Sequence, residues 1–368
     1  MELTRDENAA VRQLTDDLLD EDPERPLDDQ LGRLSVRAHE MPVRVRKHLT
    51  DFRLTGRPYG GLVLSNLPVD EDTLGPTPMS YTDEPKSRET DRAAAVLLLM
   101  GSLMGDPISY LTQQRGRLVL DVFPVRGHED SQLGSSSTVN LEWHNEDAFH
   151  PMRADWIMLF CLRNSDRVPT TFAPVQDLEL DEATRRILFE ERFIILPDES
   201  HTAAFNETTT GIETNAWADK AFQQIAEMNS SPRPTSILSG KQEAPFVRLD
   251  PAFMKRALND PAAEKALEIV IDAIDNRLRD VVITPGELLI IDNKRAVHGR
   301  KPFKARYDGT DRWLRRINVT ANLRDSEDRR YGSHGRGPTC AAAVPSRRRP
   351  PAPAGRPARR PPGASCAR

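Results

Sequence analysis

Within Asn140-Leu-Glu-Trp-His-Asn-Glu-Asp-Ala-Phe, two residues have the types and spacing to do chemistry together: His144 and Glu146. In an extended chain, residues i and i+2 point to the same face, so one imidazole and one carboxylate converge on a point. A third donor must come from elsewhere. Ile290-Ile-Asp-Asn-Lys-Arg-Ala-Val-His298-Gly supplies a candidate, an apolar strand that runs into a polar turn and then a histidine. Two imidazoles and one carboxylate are a donor set that binds ferrous iron on one face and leaves positions open for other ligands. An isolated His-x-Glu pair is common on solvated surfaces, so its weight comes from what accompanies it.

What accompanies it is Tyr307-Asp-Gly-Thr-Asp-Arg-Trp-Leu-Arg-Arg-Ile-Asn-Val-Thr. Read as a strand, it places Arg312, Leu314, Arg316 and Asn318 on one face and Trp313, Arg315, Ile317 and Val319 on the other. Arginines set among apolar residues need anionic partners. Small carboxylates suit them, because the guanidinium fork grips a carboxylate through two bonds. Ion pairs with acids of the chain itself are the structural alternative. His39, His48, His128, His201 and His334 have no ligand spacing and read as surface or structural residues.

The elements that must position these groups are short. Strand-like runs at 117–125, 156–162, 193–196, 245–249, 287–291 and 313–320, punctuated by Gly and Pro, predict a mainly β sandwich or barrel. Helices should cover its outside. One starts at the capping box Thr4-x-x-Glu7, followed by Val11, Leu14, Leu18 and Leu19 at helical spacing. Residues 93–104 are apolar on nearly all sides and predict a buried helix. Asp260-Pro261 is an N-cap followed by proline at the first helical position. The polar, poorly patterned stretch 206–240 reads as a lid or mobile loop.

The chain has 368 residues, with 51 Lys and Arg against 56 Asp and Glu, a net charge of -5. That balance blends two different polymers. Residues 336–368 hold eight Arg, eight Pro and no acid, so residues 1–335 carry -5 - 8 = -13. The tail has too few large apolar residues to build a core and is expected to be disordered. An acidic body excludes nucleic acid or an anionic membrane as the expected partner and suits a protein that handles small molecules. Cys161 is the one cysteine before the tail, which implies no disulfide framework and a cytoplasmic setting. MELTRDENAA is not a secretory signal, and the longest apolar run, 93–100, is far too short to span a membrane. Ligands 154 residues apart, His144 and His298, must share one site, so a single domain over 1–335 is expected.

Together the stretches TQQRGRLVLDVFP, LEWHNEDAFHPMRADWIMLFCLRN, RFIILPDESH, VRLD and IIDNKRAVHGRKPFKARYDGTDRWLRRIN resemble the Fe(II)/2-oxoglutarate oxygenases of the clavaminate synthase type. The likeness is greatest to those that hydroxylate the β-carbon of free L-arginine in antibiotic biosynthesis, and it runs from about 94 to 323. It implies a double-stranded β-helix, the cupin-like jelly roll, with covering helices. It implies His144, Glu146 and His298 as ligands of Fe(II), with 2-oxoglutarate and O2 as cosubstrates. Arg312, helped by Thr171, would bind the distal carboxylate of 2-oxoglutarate, and Arg316 the substrate α-carboxylate. Gln113 and Glu146 would hold the α-amino group, Leu133 and Ser135 would line the pocket, and Asp250 would meet the far end of the side chain. Two departures stand out. Asn145 occupies a position that is often Thr and should face away with little effect. Asp250-Pro-Ala252 lacks the second carboxylate of the Asp-x-Asp guanidinium clamp.

The implied reaction is hydroxylation at C3 of arginine or a related cationic amino acid. Enduracididine, lysine, ornithine or asparagine are alternative substrates, and desaturation or ring closure an alternative outcome. His144→Ala is expected to abolish turnover. A variant that kept full activity with stoichiometric iron would remove His144 from the ligand set.

Overall fold

Apolar alternation along the strands closes two antiparallel sheets around one interior. The structure, a computed structural model, describes residues 1–330 except 58–59, 84–86, 176–177, 213–214 and 256–258. The Arg/Pro-rich tail at 336–368 lies outside the described residues. The larger sheet runs in the order Gly61–Leu64, Leu288–Asp292, Trp156–Arg163, Trp313–Thr320 and Asp106–Ile108, and Leu120–Val122 also pairs with Trp313–Thr320. The smaller sheet runs Arg279–Val281, Thr170–Pro174, Ala296–Arg300 and Leu141–His144.

Strand Trp156–Arg163 shows why the chain folds this way. It is apolar on both faces because both are covered. Met158, Phe160 and Leu162 pack outward under helices Arg5–Glu21, Leu31–Arg37, Val43–Thr55 and Arg88–Met104. Ile157, Leu159 and Cys161 point inward, where they meet Ala296 and Phe172 of the smaller sheet. Helix Pro261–Asp275 lays Ala266, Val270 and Ile274 on the far side of that sheet, against Ala173 and Val297. The chain is thus mostly β with helices outside.

The helix signals hold. Thr4 and Glu7 form their reciprocal capping box, and Asp260 caps the helix that begins at Pro261. Strand Trp313–Thr320 has the expected bounds. The stretch 206–240 is more ordered than its composition suggests. It contains part of helix Ala203–Thr209, all of helix Ala216–Ser230 and most of strand Leu238–Lys241. Asn215 caps the second helix, whose buried residues are Ala218, Ala221 and Ile225, a narrow stripe of mostly small side chains. A reading that weighs large apolar residues passes over such a stripe.

Three local features bring the site together. First, His298 pairs directly with His144 across the two antiparallel strands. Directly opposed residues project from the same face, and the two ring centroids lie 4.7 Å apart. Second, the backbones crowd so closely at Gly299 that a Cβ there would stand 2.5 Å from the Leu141 carbonyl oxygen and 3.0 Å from the Trp143 nitrogen. Third, two fully buried asparagines clasp the turns on either side. Asn145 Nδ2 donates to the carbonyls of Asn293 (2.8 Å) and Ala296 (2.9 Å), and its Oδ1 accepts from Leu249 N (2.9 Å). Asn293 Oδ1 accepts from Glu146 N (2.8 Å), and its Nδ2 donates to the carbonyls of Glu146 and Ala154 (both 3.0 Å). Asn145 faces away from the donors, as expected. It stitches the His144 turn to the His298 turn.

Asn293→Ala leaves three buried backbone groups without partners, two of them on Glu146. The expected loss is about 2–4 kcal/mol in denaturant unfolding, with weaker iron binding as well. Unchanged stability would show that the clasp does not hold the turns.

Candidate metal centre and substrate cavity

Glu146 Oε2 lies 3.7 Å from His144 Nε2 and 3.6 Å from His298 Nε2, and the three donor groups lie within 4.8 Å of one another. His144 Nδ1 is 2.8 Å from the Glu142 carbonyl oxygen, an acceptor, so Nδ1 carries a proton and Nε2 faces Glu146. Burial would lower the His144 pKa, but the hydrogen bond to Glu146 and the charges of Asp250 and Glu146 outweigh it and raise it to about 9. Burial alone would raise the pKa of Glu146. The Arg316 guanidinium and the two imidazoles outweigh it and hold the carboxyl well below the ordinary carboxylate range. An ionised carboxylate and a neutral imidazole are the forms in which these groups bind a metal, so a metal ion here would displace the proton that His144 Nε2 shares with Glu146. The convergent N, N, O donor set fits Fe(II).

One cavity contains the triad and most of the other predicted residues. Arg312, Leu314 and Arg316 line it together, as the strand alternation requires. Arg316 Nη1 donates to Glu146 Oε1, and its Nη2 donates to Gln113 Oε1 at 3.2 Å. Gln113 Nε2 reaches Asp147 Oδ1 and Ser200 Oγ, each at 3.4 Å. Leu133 and Ser135 face the same space, and Ser135 Oγ sits 2.9 Å from His128 Nδ1. Asp250, Ala252 and Phe253 form another part of the wall. Burial raises the Asp250 pKa to about 7; His144 opposes this, and Asp198 and Glu146 add to it.

Thr171 is not brought to the cavity; its neighbour Thr170 is. Strand pairing sets His298 opposite Phe172 and Arg300 opposite Thr170, so residues 170 and 172 share the face of His298. Thr171 pairs with Gly299 and projects the other way. Thr170 Oγ1 accepts from Arg312 Nη2 at 3.2 Å. With a side-chain period of two, choosing between adjacent threonines means choosing a face, and only the register decides that.

Sequence reasoning passed over several residues of the site. Asp198 lines the cavity with Asp250 and also caps the short helix Glu199–His201. Next to it, His201, read as surface or structural, proves structural: it is fully buried and does not line the cavity. Its Nε2 lies 2.8 Å from Asp147 Oδ1 and its Nδ1 2.7 Å from Thr112 Oγ1. Asn206 Nδ2 donates to the carbonyls of Thr112 and Ser200, which pins the same segment down. Wall residues Asp198, Ser200, Phe205 and Thr210 come from 198–210, and of 206–240 only Thr210 lines the cavity among the described residues. No periodicity or motif spacing marks these positions. Among the described residues, no helix is long and apolar enough to cross a membrane.

No family model matches the chain. An enduracididine β-hydroxylase of Streptomyces hygroscopicus is 42% identical over 299 residues, covering 80% of this chain and 86% of its own. An L-ornithine/L-arginine 3-hydroxylase of Catenulispora acidiphila is 38% identical over 327 residues, 88% of this chain and 95% of its own. The non-haem iron oxygenase OrfP, solved with Fe, succinate and (3S)-hydroxy-L-Arg, superposes with a TM-score of 0.84 over 92% of this chain and 98% of its own, at 38% identity. OrfP has also been solved with Fe and α-ketoglutaric acid, with a TM-score of 0.80 to this chain. With a convergent His-Glu-His set and relatives of this similarity and coverage, the chain belongs to the Fe(II)/2-oxoglutarate-dependent oxygenases of the clavaminate synthase type.

Proposed function

We propose that the enzyme hydroxylates C3, the β-carbon, of free L-arginine or a closely related cationic amino acid in specialised metabolism. The observation that carries this reading is the presence of both signs of charge in the cavity that holds the triad. Arg316 and Gln113 stand beside the metal ligands, and the acids Asp250 and Asp198 line the same space. A free amino acid with a cationic side chain is the complementary ligand. Its α-carboxylate suits the Arg316 fork, its α-amino group suits Gln113 Oε1 and Glu146, and its cationic end suits Asp250 and Asp198. The two hydroxylase relatives act on ornithine, arginine and enduracididine.

His144, Glu146 and His298 would hold Fe(II). Arg312, with Thr170 rather than Thr171, would hold the distal carboxylate of 2-oxoglutarate. Bound Fe(II) supplies the capacity to couple oxidative decarboxylation of 2-oxoglutarate to insertion of one oxygen of O2 into a C–H bond, with succinate and CO2 released. The chain's share is position: ionic contacts at both ends of a small zwitterion fix which carbon faces the metal. Residues 198–210 cover the cavity and keep water from the reacting carbon. We further propose that the two sheets form a double-stranded β-helix and that residues 1–335 are a single oxygenase domain.

A second reading, the cyclic guanidine of enduracididine in place of arginine, is favoured by Ala252. It lines the cavity beside Asp250 where a paired carboxylate would complete a guanidinium clamp. The deciding experiment is anaerobic reconstitution with iron, then incubation of free amino acids with 2-oxoglutarate and O2. Arginine or enduracididine should gain one oxygen atom with matching succinate release. Loss of two hydrogens would replace hydroxylation by desaturation, and no substrate-dependent succinate with any cationic amino acid would end the reading.

Asp250 sets an expected pH dependence. Its pKa is raised to about 7, so it is protonated below that pH and becomes the carboxylate a cation needs above it. KM for a cationic amino acid should therefore fall as pH rises from about 6 to about 8, and Asp250→Asn should flatten the profile. Thr170→Val should raise KM for 2-oxoglutarate about tenfold, whereas Thr171→Val should leave it nearly unchanged. The reverse pattern would return the contact to Thr171.

A further inference from the structure

Arg300 has no part in the contacts assigned so far, yet it is among the least comfortable charges in the protein. It sits two residues beyond His298 on the same strand and is 3% exposed. It lines the cavity that His298, Arg312 and Thr170 also line. Across the sheet its direct partner is Thr170, whose hydroxyl accepts from Arg312. Every contact it makes is to a neutral group. Nη2 donates to Ser136 Oγ at 2.7 Å, Nη1 donates to the carbonyls of Lys301 (3.1 Å) and Ser137 (3.3 Å), and the guanidinium carbon lies 5.0 Å from the Phe303 ring centroid.

No carboxylate among the described residues forms an ion pair with Arg300 or with Arg312. The Nε of each is buried with no hydrogen-bond partner. Two buried guanidinium groups that line one cavity, neither paired with an acid, call for an anion between them. A single carboxylate has two oxygens and can accept from both.

We propose that Arg300 is a second cationic contact for the distal carboxylate of 2-oxoglutarate, completing a cradle with Arg312 and Thr170. The proposal rests on the reading of Arg312 as the anchor of that carboxylate. A structural role is the competing explanation, because Arg300 also ties the 133–137 segment to the His298 strand through Ser136 and Ser137.

The test is anaerobic calorimetric titration of the Fe(II)-loaded full chain with 2-oxoglutarate and with 2-oxobutyrate, a 2-oxo acid without the distal carboxylate. Arg300→Met should weaken 2-oxoglutarate binding about tenfold or more and leave 2-oxobutyrate binding within about twofold. Arg300→Lys keeps the charge without the fork and should lose about threefold for 2-oxoglutarate alone. If Arg300→Met does not give a cooperative melt, the lysine variant carries the same comparison. Unchanged 2-oxoglutarate affinity, or equal losses for both acids, overturns the proposal in favour of a structural staple. Arg312→Met distinguishes the two levels. If it leaves 2-oxoglutarate affinity intact, the underlying assignment fails; if it loses affinity and Arg300→Met does not, only the second contact fails.

Discussion

The site depends on one register, His144 opposite His298 across two antiparallel strands. Everything that fixes that pairing also fixes where the metal donors meet. Gly299 lets the strands approach, since any side chain there would strike the Leu141 carbonyl. Asn145 and Asn293 exchange hydrogen bonds with the turns beyond each histidine, so neither strand can slide without breaking buried amide contacts. Slipping by one residue would turn an imidazole to the opposite face, where Trp143 and Val297 pack against helix Pro261–Asp275.

Around that register, charge is sorted by strand face. In Trp313–Thr320, Arg315 points away from the metal and meets its own acid. Its Nε donates to Asp121 Oδ1 at 3.0 Å, and Trp313 Nε1 donates to the same oxygen at 2.9 Å. Burial raises the Asp121 pKa, but Arg315 and Arg117 outweigh it and leave the carboxyl below its ordinary value. On the inner face, Arg316 is met by Glu146 and Gln113, and Arg312 only by a threonine hydroxyl. Arg315 is thus neutralised by an acid of the chain, whereas Arg312 meets only a hydroxyl among the described residues. Asp198 and Asp250 line the same cavity.

Much of this was legible in residue order. Local signals with a mechanical cause survived: the Thr4 capping box, the Asp260-Pro261 helix start and the bounds of strand 313–320. The His-x-Glu spacing and the two inward arginines, Arg312 and Arg316, were also legible, because period-two alternation needs only local extension. Most of what was missed has one cause. Thr171 against Thr170, the clasp made by Asn145 and the place of Asp198 all depend on contacts to residues distant in sequence, as where Asn145 reaches Asn293. Helix 216–230 failed differently, since its buried stripe is mostly alanine and carries little hydrophobic signal.

By itself the sequence determined the donor types, the alternation of each strand, the helix starts, and a family resemblance strong enough to imply iron and 2-oxoglutarate. Those properties are set by side-chain chemistry and backbone geometry over a few residues. Only the tertiary structure decided which distant face meets which. It paired His298 with His144, chose Thr170 over Thr171, brought Asp198 beside Asp250, and left Arg300 buried without a counter-ion near Arg312. The physical reason is that register and desolvation are properties of the assembled sheets. A residue acquires a partner, or the need for one, only when water is removed from both sides of it.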